Sequence, residues 1–176
     1  MNKKIGMGFF GELDLYLFGE GRHYRLYEKM GAHPITYRRQ AGIHFAVWAP
    51  HAEEVSVVGD FNGWNPGKTP MKRISGSGIF EAFVPGLKEG ELYKYAISTK
   101  SSSLLMKADP FAFYSEYRPG TASVTADISG FSWSDSAWME KRRNQDPVKA
   151  PIAVYEVHLG SWRKTNRPER DNCLTY

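Results

Sequence analysis

The sequence predicts a mainly β protein: an immunoglobulin-like antiparallel β-sandwich preceded by a short helical N-terminal extension. Three observations carry that expectation. The apolar spacing switches from three or four residues to two at Ile43. Four short apolar runs then follow, each bounded by Gly, Pro, Asn or Ser clusters. The chain of 176 residues has room for one ordinary domain with flanking pieces but not for two large ones.

From Leu13 to Gly31, Leu13, Tyr16, Leu17, Tyr24 and Tyr27 recur at helical spacing with Gly19 and Gly21 between them, which predicts two short helices. Ile43, Phe45 and Val47 alternate with His44, Ala46 and Trp48 until Ala49-Pro50 ends the run, so a strand is expected there. Further strands are expected over 55–58, 79–84 and 92–98, and another over 121–128, after the turn residues Arg118-Pro119-Gly120.

Residues 129–150 are polar, with Trp133 and Trp138 among charges, and read as a linker carrying a helix around 137–143. After Pro151 the nearly continuous run Ile152, Ala153, Val154, Tyr155, Val157 has the pattern of a strand buried on both faces of a parallel sheet. The expected organisation is therefore a helical extension (1–38), a sandwich (39–128), a linker (129–150) and the start of a different domain (151–176).

Composition narrows the function. The chain is 41% hydrophobic and 24% charged, which is globular, and its net charge of +4 is spread along the sequence rather than gathered into a nucleic-acid footprint. Cys173 is the single cysteine, so no intrachain disulfide forms and a reducing cytoplasm is the expected setting. Lys3 and Lys4 before an apolar run resemble the start of a signal peptide, yet glycines dilute that run, Glu12 and Asp14 close it, and no small-residue cleavage site follows. No stretch approaches the roughly twenty apolar residues of a membrane span. Nucleic acid and membrane are thus not expected partners.

Catalytic chemistry finds little support. A retaining glycosidase needs two facing carboxylates about 5 Å apart. Glu53, Glu54, Glu89 and Glu91 sit in or beside turns, and Glu169 with Asp171 lies in a polar tail, so all read as solvated acids. The five histidines lack metal spacing, and no phosphate-binding or dinucleotide motif occurs, so neither metal nor cofactor is expected.

The most informative segment is Gly59-Asp60-Phe61-Asn62-Gly63-Trp64-Asn65-Pro66, where a valine-rich strand runs into an Asn-Gly turn that presents a tryptophan. An indole plane suits the C–H face of glucose, and the Asn65 amide suits its hydroxyls; equally, Trp64 is the kind of residue that pins a loop to a sandwich. Tyr93, Tyr95 and Ile97 share one strand face, which leaves Lys94 on the other, either as a sugar ligand or as an ordinary strand lysine that aids solubility.

Four blocks extend this reading: Tyr16-Leu17-Phe18 with Gly31-Ala32-His33-Pro34; residues 45–50 followed by Val57-Val58 and the Gly59 to Trp64 segment; Tyr93-Lys94-Tyr95 with Lys107-Ala108-Asp109-Pro110; and residues 155–162. In this order they resemble bacterial glycogen (1,4-α-glucan) branching enzymes, members of glycoside hydrolase family 13 with an N-terminal carbohydrate-binding module of family 48. The second block alone would indicate only the module, which isoamylases and kinase regulatory subunits share.

The resemblance implies that 155–162 is the first strand and loop of an (α/β)₈ barrel, with the catalytic Asp, Glu and Asp further downstream. A barrel takes about 250 residues, so the expectation is a truncated chain, non-catalytic alone, whose orphan first strand calls for the missing barrel or a complementing fragment. It also implies a glucan site. Glycogen-binding modules use two tryptophans, a lysine, a leucine and an asparagine; Trp64 and Lys94 match the first tryptophan and the lysine. Met106 stands at the second tryptophan, Pro119 at the leucine and Ser123 at the asparagine. With Asn65 beside Trp64, the expected glucan-facing set is Trp64, Lys94, Asn65, Met106 and Ser123, binding short maltooligosaccharides in the millimolar range at best. The alternatives are a free-standing glycogen- or starch-binding regulatory module, and a sandwich used only for domain packing.

Overall fold

The computed structural model describes residues 7–74, 76–101 and 103–164. In chain order they form α1 (Glu12–Gly19), a 3₁₀ turn (Leu26–Glu28), β1 (Gly31–Tyr37), β2 (Gln40–Trp48) and β3 (Glu54–Gly59). Two 3₁₀ turns (Asp60–Asn62 and Pro66–Lys68) lead to β4 (Lys72–Arg73), β5 (Ile79–Pro85), β6 (Leu92–Ser98), β7 (Leu104–Lys107), β8 (Tyr114–Ser115) and β9 (Ser123–Val124). Two helices follow, α2 (Ser136–Asn144) and α3 (Leu159–Trp162). The chain divides into two units, Met1–Phe131 and Ser132–Tyr176.

The first unit is the sandwich. One sheet has the order β1-β2-β5-β4, the other β3-β6-β9-β8 with β7 also paired to β6, and every pairing is antiparallel. Ile43, Phe45 and Val47 of the first sheet meet Val55, Val57, Tyr93 and Tyr95 of the second. Phe45 packs edge-on against Tyr93 at 5.1 Å between ring centroids, a geometry that aromatic quadrupoles favour. At one margin of this core, Asp109 accepts hydrogen bonds from the hydroxyls of Tyr93 (2.6 Å) and Tyr95 (3.0 Å) and from the Phe111 amide (2.8 Å).

The outer face of the first sheet is buried as well. His44, Ala46 and Ile79 lie under a second core that also takes in Phe10, Met30 and Ile74, with Phe9, Leu15 and Phe18 packed against it. Within this core Glu81 is fully buried, accepting from His44 Nε2 at 3.2 Å and from the Met7 amide. Burial pulls the His44 imidazole below the ordinary histidine value, opposed by its bond to Glu81, so the ring is neutral near pH 7. Asp14 ties the cover down by accepting from the Gly11 amide at 2.8 Å and meeting His23 at 2.9 Å and Lys29 at 3.3 Å.

Several elements differ from the sequence expectation. The two expected helices are one α-helix and one 3₁₀ turn, and residues 31–37, expected within the helical extension, form β1. Its hairpin turns through Arg38 and Arg39 at φ 49° and 68°, the left-handed pair that a two-residue turn needs, built without the usual Asn-Gly. The strand expected over 121–128 shortens to Ser123–Val124, while β4, β7 and β8 are additional. In the second unit, α2 covers the helix expected around 137–143. Residues 151–158 have extended apolar composition but no strand pairing, and Ile152, Val154 and Tyr155 are 76%, 86% and 74% exposed. A strand needs a hydrogen-bonding neighbour, and none is present among the described residues. Cys173, Glu169 and Asp171 lie outside them.

Candidate functional site

The N-terminal segment covers the outer face of the first sheet, and the outer face of the second carries Lys94 and Met106. Alternation on β6 sends Tyr93 and Tyr95 inward and Lys94 and Ala96 outward, and register sets Val58 beside Lys94 and Met106 beside Ala96. Val58 and Ala96 are buried, while Lys94 is half-buried and Met106 is 41% exposed. An apolar floor thus carries one ammonium and one thioether.

The loop after β3 is built residue by residue for its shape. Gly59 pairs with Tyr93, and a Cβ at Gly59 would run into the Leu92 carbonyl oxygen and the Phe61 ring. Asn62 is buried and fully satisfied: its Oδ1 accepts from the Gly59 amide at 3.1 Å, and its Nδ2 donates to the Val57 carbonyl and Thr69 Oγ1, both at 3.0 Å. Gly63 takes φ 67°, which a side chain resists, and closes the 3₁₀ turn. Trp64 follows at φ 58°, its amide bonded to the Gly59 carbonyl at 2.9 Å and its Nε1 to Asp60 Oδ1 at 2.7 Å. Trp64 is half-buried. Asn65 is exposed, its Oδ1 capping the next 3₁₀ turn through the Gly67 amide at 2.9 Å, which leaves its amide nitrogen for a ligand.

Trp64 and Lys94 come to the same end of the sheet, since the Trp64 amide is anchored on Gly59, whose register partner Tyr93 precedes Lys94. Lys94 Nζ donates to Thr121 Oγ1 at 2.6 Å, leaving two further N–H donors for sugar hydroxyls. Met106 shares the face, paired with Ala96 two residues beyond Lys94. Ser123 does not reach it. Paired with Tyr93, it points into the core, is 1% exposed, and accepts the Asp109 amide at 2.8 Å. Pro119 is exposed in the turn before β9.

Sequence reasoning missed Asp60 and Thr121, the partners of the indole and the ammonium. Asp60 lies in the quoted motif, and its spacing to Trp64 was the available signal; Thr121 gave none, being brought to Lys94 by the β6–β9 pairing. Glu53, Glu54 and Glu89 are exposed, and Glu91 is half-buried with its amide bonded to Thr125 Oγ1. Among the described residues no three His, Cys, Asp or Glu side chains gather to hold a metal, and no helix is long and apolar enough to cross a membrane.

An uncharged ligand with alternating apolar and hydroxyl surfaces is what an indole beside an ammonium and an amide suits, and the sandwich is a carbohydrate-binding module: the family described as carbohydrate-binding module 48 (isoamylase N-terminal domain) matches residues 29–112. The flanking residues take the likeness further. Over 166 residues, 93% of the chain, it is 51% identical to the 1,4-α-glucan branching enzyme GlgB of Synechococcus sp. (strain JA-3-3Ab), covering 22% of that protein. Over all 176 residues it is 48% identical to GlgB of Butyrivibrio fibrisolvens, covering 27% of it. A solved structure it resembles, Klebsiella pneumoniae pullulanase, shares 27% identity at a TM-score of 0.45 over 56% of this chain and 9% of that one. The chain belongs to the bacterial 1,4-α-glucan branching enzyme family as an N-terminal portion, and it spans about a fifth to a quarter of the length of these relatives.

Proposed function

We propose that the outer face of the β3-β6 sheet binds α-glucan chains and thereby positions them for a branching enzyme that transfers an α-1,4-linked segment to an α-1,6 branch point in the cytoplasm. In this reading the catalytic acids belong to an (α/β)₈ barrel, of which residues 151–176 supply the first strand, and the exposed apolar side chains of Ile152, Val154 and Tyr155 are surfaces that the barrel would bury. The described residues are the non-catalytic, glucan-holding part. The observation that carries the reading is that Trp64 and Lys94, both half-buried and each held by a polar partner, come to the same end of the β3-β6 sheet.

Affinity electrophoresis of the 176-residue chain in glycogen gels tests it. The parent is expected to be retarded, and Trp64→Ala to weaken that interaction about fivefold, the loss of one aromatic stacking contact. Lys94→Ala is expected to weaken it about threefold, as for one hydrogen-bonding partner of modest net value. Far-UV circular dichroism confirms that both variants are folded. Equal retardation of parent and Trp64→Ala would leave the sandwich with a packing role only.

A further inference from the structure

The geometry assigns Asp60 as the positioning residue for the sugar-stacking indole of Trp64, an inference that rests on the glucan-binding reading of this face. Trp64 sits at the end of a loop in a backbone conformation, φ 58°, that a bulky L-residue adopts only when its surroundings hold it. Two bonds do so: the Trp64 amide reaches the Gly59 carbonyl at 2.9 Å, and the indole Nε1 donates to Asp60 Oδ1 at 2.7 Å. The first fixes the main chain and leaves both side-chain torsions open; the second fixes the ring.

An indole has only one polar atom, a donor, and a carboxylate is the stronger kind of acceptor for it. With that N–H satisfied within the protein, the ring offers its π face to a ligand and has no call on a sugar hydroxyl. Stacking affinity depends on the ring waiting in the bound orientation, because a freely rotating indole would lose rotamer freedom when the sugar arrives. Asp60 removes that loss beforehand. It touches the tryptophan rather than the sugar, so its effect on affinity must pass through Trp64.

That dependence makes the proposal testable by a double-mutant cycle on the 176-residue chain, with glycogen and maltoheptaose as probes. Asp60→Ala is expected to weaken binding about threefold, a share of the about fivefold loss for Trp64→Ala. Asp60→Asn keeps a carboxamide oxygen at the acceptor position and is expected to restore binding to within about twofold of the parent, as a neutral acceptor is weaker than a charged one. In a Trp64→Ala background, Asp60→Ala is expected to change nothing further. Ligand-free Trp64 fluorescence anisotropy, measured against the Trp64→Ala chain as blank, is expected to fall in Asp60→Ala and to recover in Asp60→Asn. Additive losses in the double variant, or parental affinity in Asp60→Ala while Trp64→Ala binds weakly, would overturn the role of Asp60. Parental affinity in Trp64→Ala would instead overturn the glucan-binding reading beneath it.

Discussion

Replacing Asp109 with alanine is expected to lower the stability of the sandwich by about 3 kcal/mol, because it strands several buried polar groups at once. Tyr93 and Tyr95 are both 0% exposed, and each aims its hydroxyl at one oxygen of Asp109, while the other oxygen receives the Phe111 amide. Burial, reinforced by the Asp109 charge, pushes both phenols well above the ordinary tyrosine value, so they remain protonated donors. Tyr95 also reaches the Ala46 carbonyl at 3.3 Å, and the Ser123 side chain lies within hydrogen-bonding reach of Tyr93. Asp109→Asn keeps the shape and an acceptor for the Phe111 amide, and is expected to cost less than half as much. Urea titration followed by near-ultraviolet circular dichroism measures both; an alanine variant within about 0.5 kcal/mol of the parent would refute the role given to this carboxyl.

The same group gives the pH dependence a sign. Burial raises the Asp109 carboxyl above the ordinary aspartate value, opposed by the hydrogen bonds from Tyr93, Phe111 and Tyr95 and by the charge of His33. The folded protein then holds this proton more tightly than the unfolded chain does. Its contribution favours folding below the unfolded value and is lost as pH rises from there through the raised folded value. Asp109→Asn cannot titrate, so its deficit relative to the parent is expected to shrink as pH climbs through that window.

What could be read from the sequence follows from how local each signal is. The strands over 43–48, 55–58, 79–84 and 92–98 are legible because each alternates or runs apolar between turn residues, and all four are present in β2, β3, β5 and β6. β1 was hidden by Pro34 inside it, which an edge strand tolerates, and by an arginine pair taking the turn conformation that Asn-Gly normally signals. The second core was hidden because it assembles Phe10, Met30, Ala46 and Ile79 from four distant stretches. Its trace is that His44 and Ala46, nominally the outward residues of β2, are as buried as Phe45. Of the site, Trp64 and Lys94 could be picked out by motif and by strand period. The inward turn of Ser123 could not, since it depends on which β6 residue it pairs with.

Gly59→Ala is expected to be the other severe substitution, costing about 3 kcal/mol in stability and weakening glucan binding together with it. Its backbone is extended, so conformation alone would admit alanine; space is what forbids it. A methyl group would press on the Leu92 carbonyl oxygen, part of the partner strand's main chain, and on the Phe61 ring, which stacks 6.3 Å from Phe45 in the core. A flexible side chain could swing aside, but a strand backbone yields only by parting β3 from β6. The same movement would shift the Gly59 amide from Asn62 and the Gly59 carbonyl from the Trp64 amide, the two bonds that set the loop. Gly63→Ala supplies the contrast. Its Cβ would meet nothing within 4 Å, so only the left-handed backbone resists, and the cost is expected to stay near 1 kcal/mol. Thermal melts of the two variants, with glycogen-gel retardation measured below both transitions, separate space from conformation. Equal stability of the two would mean that the β3–β6 contact at Gly59 is looser than its geometry demands.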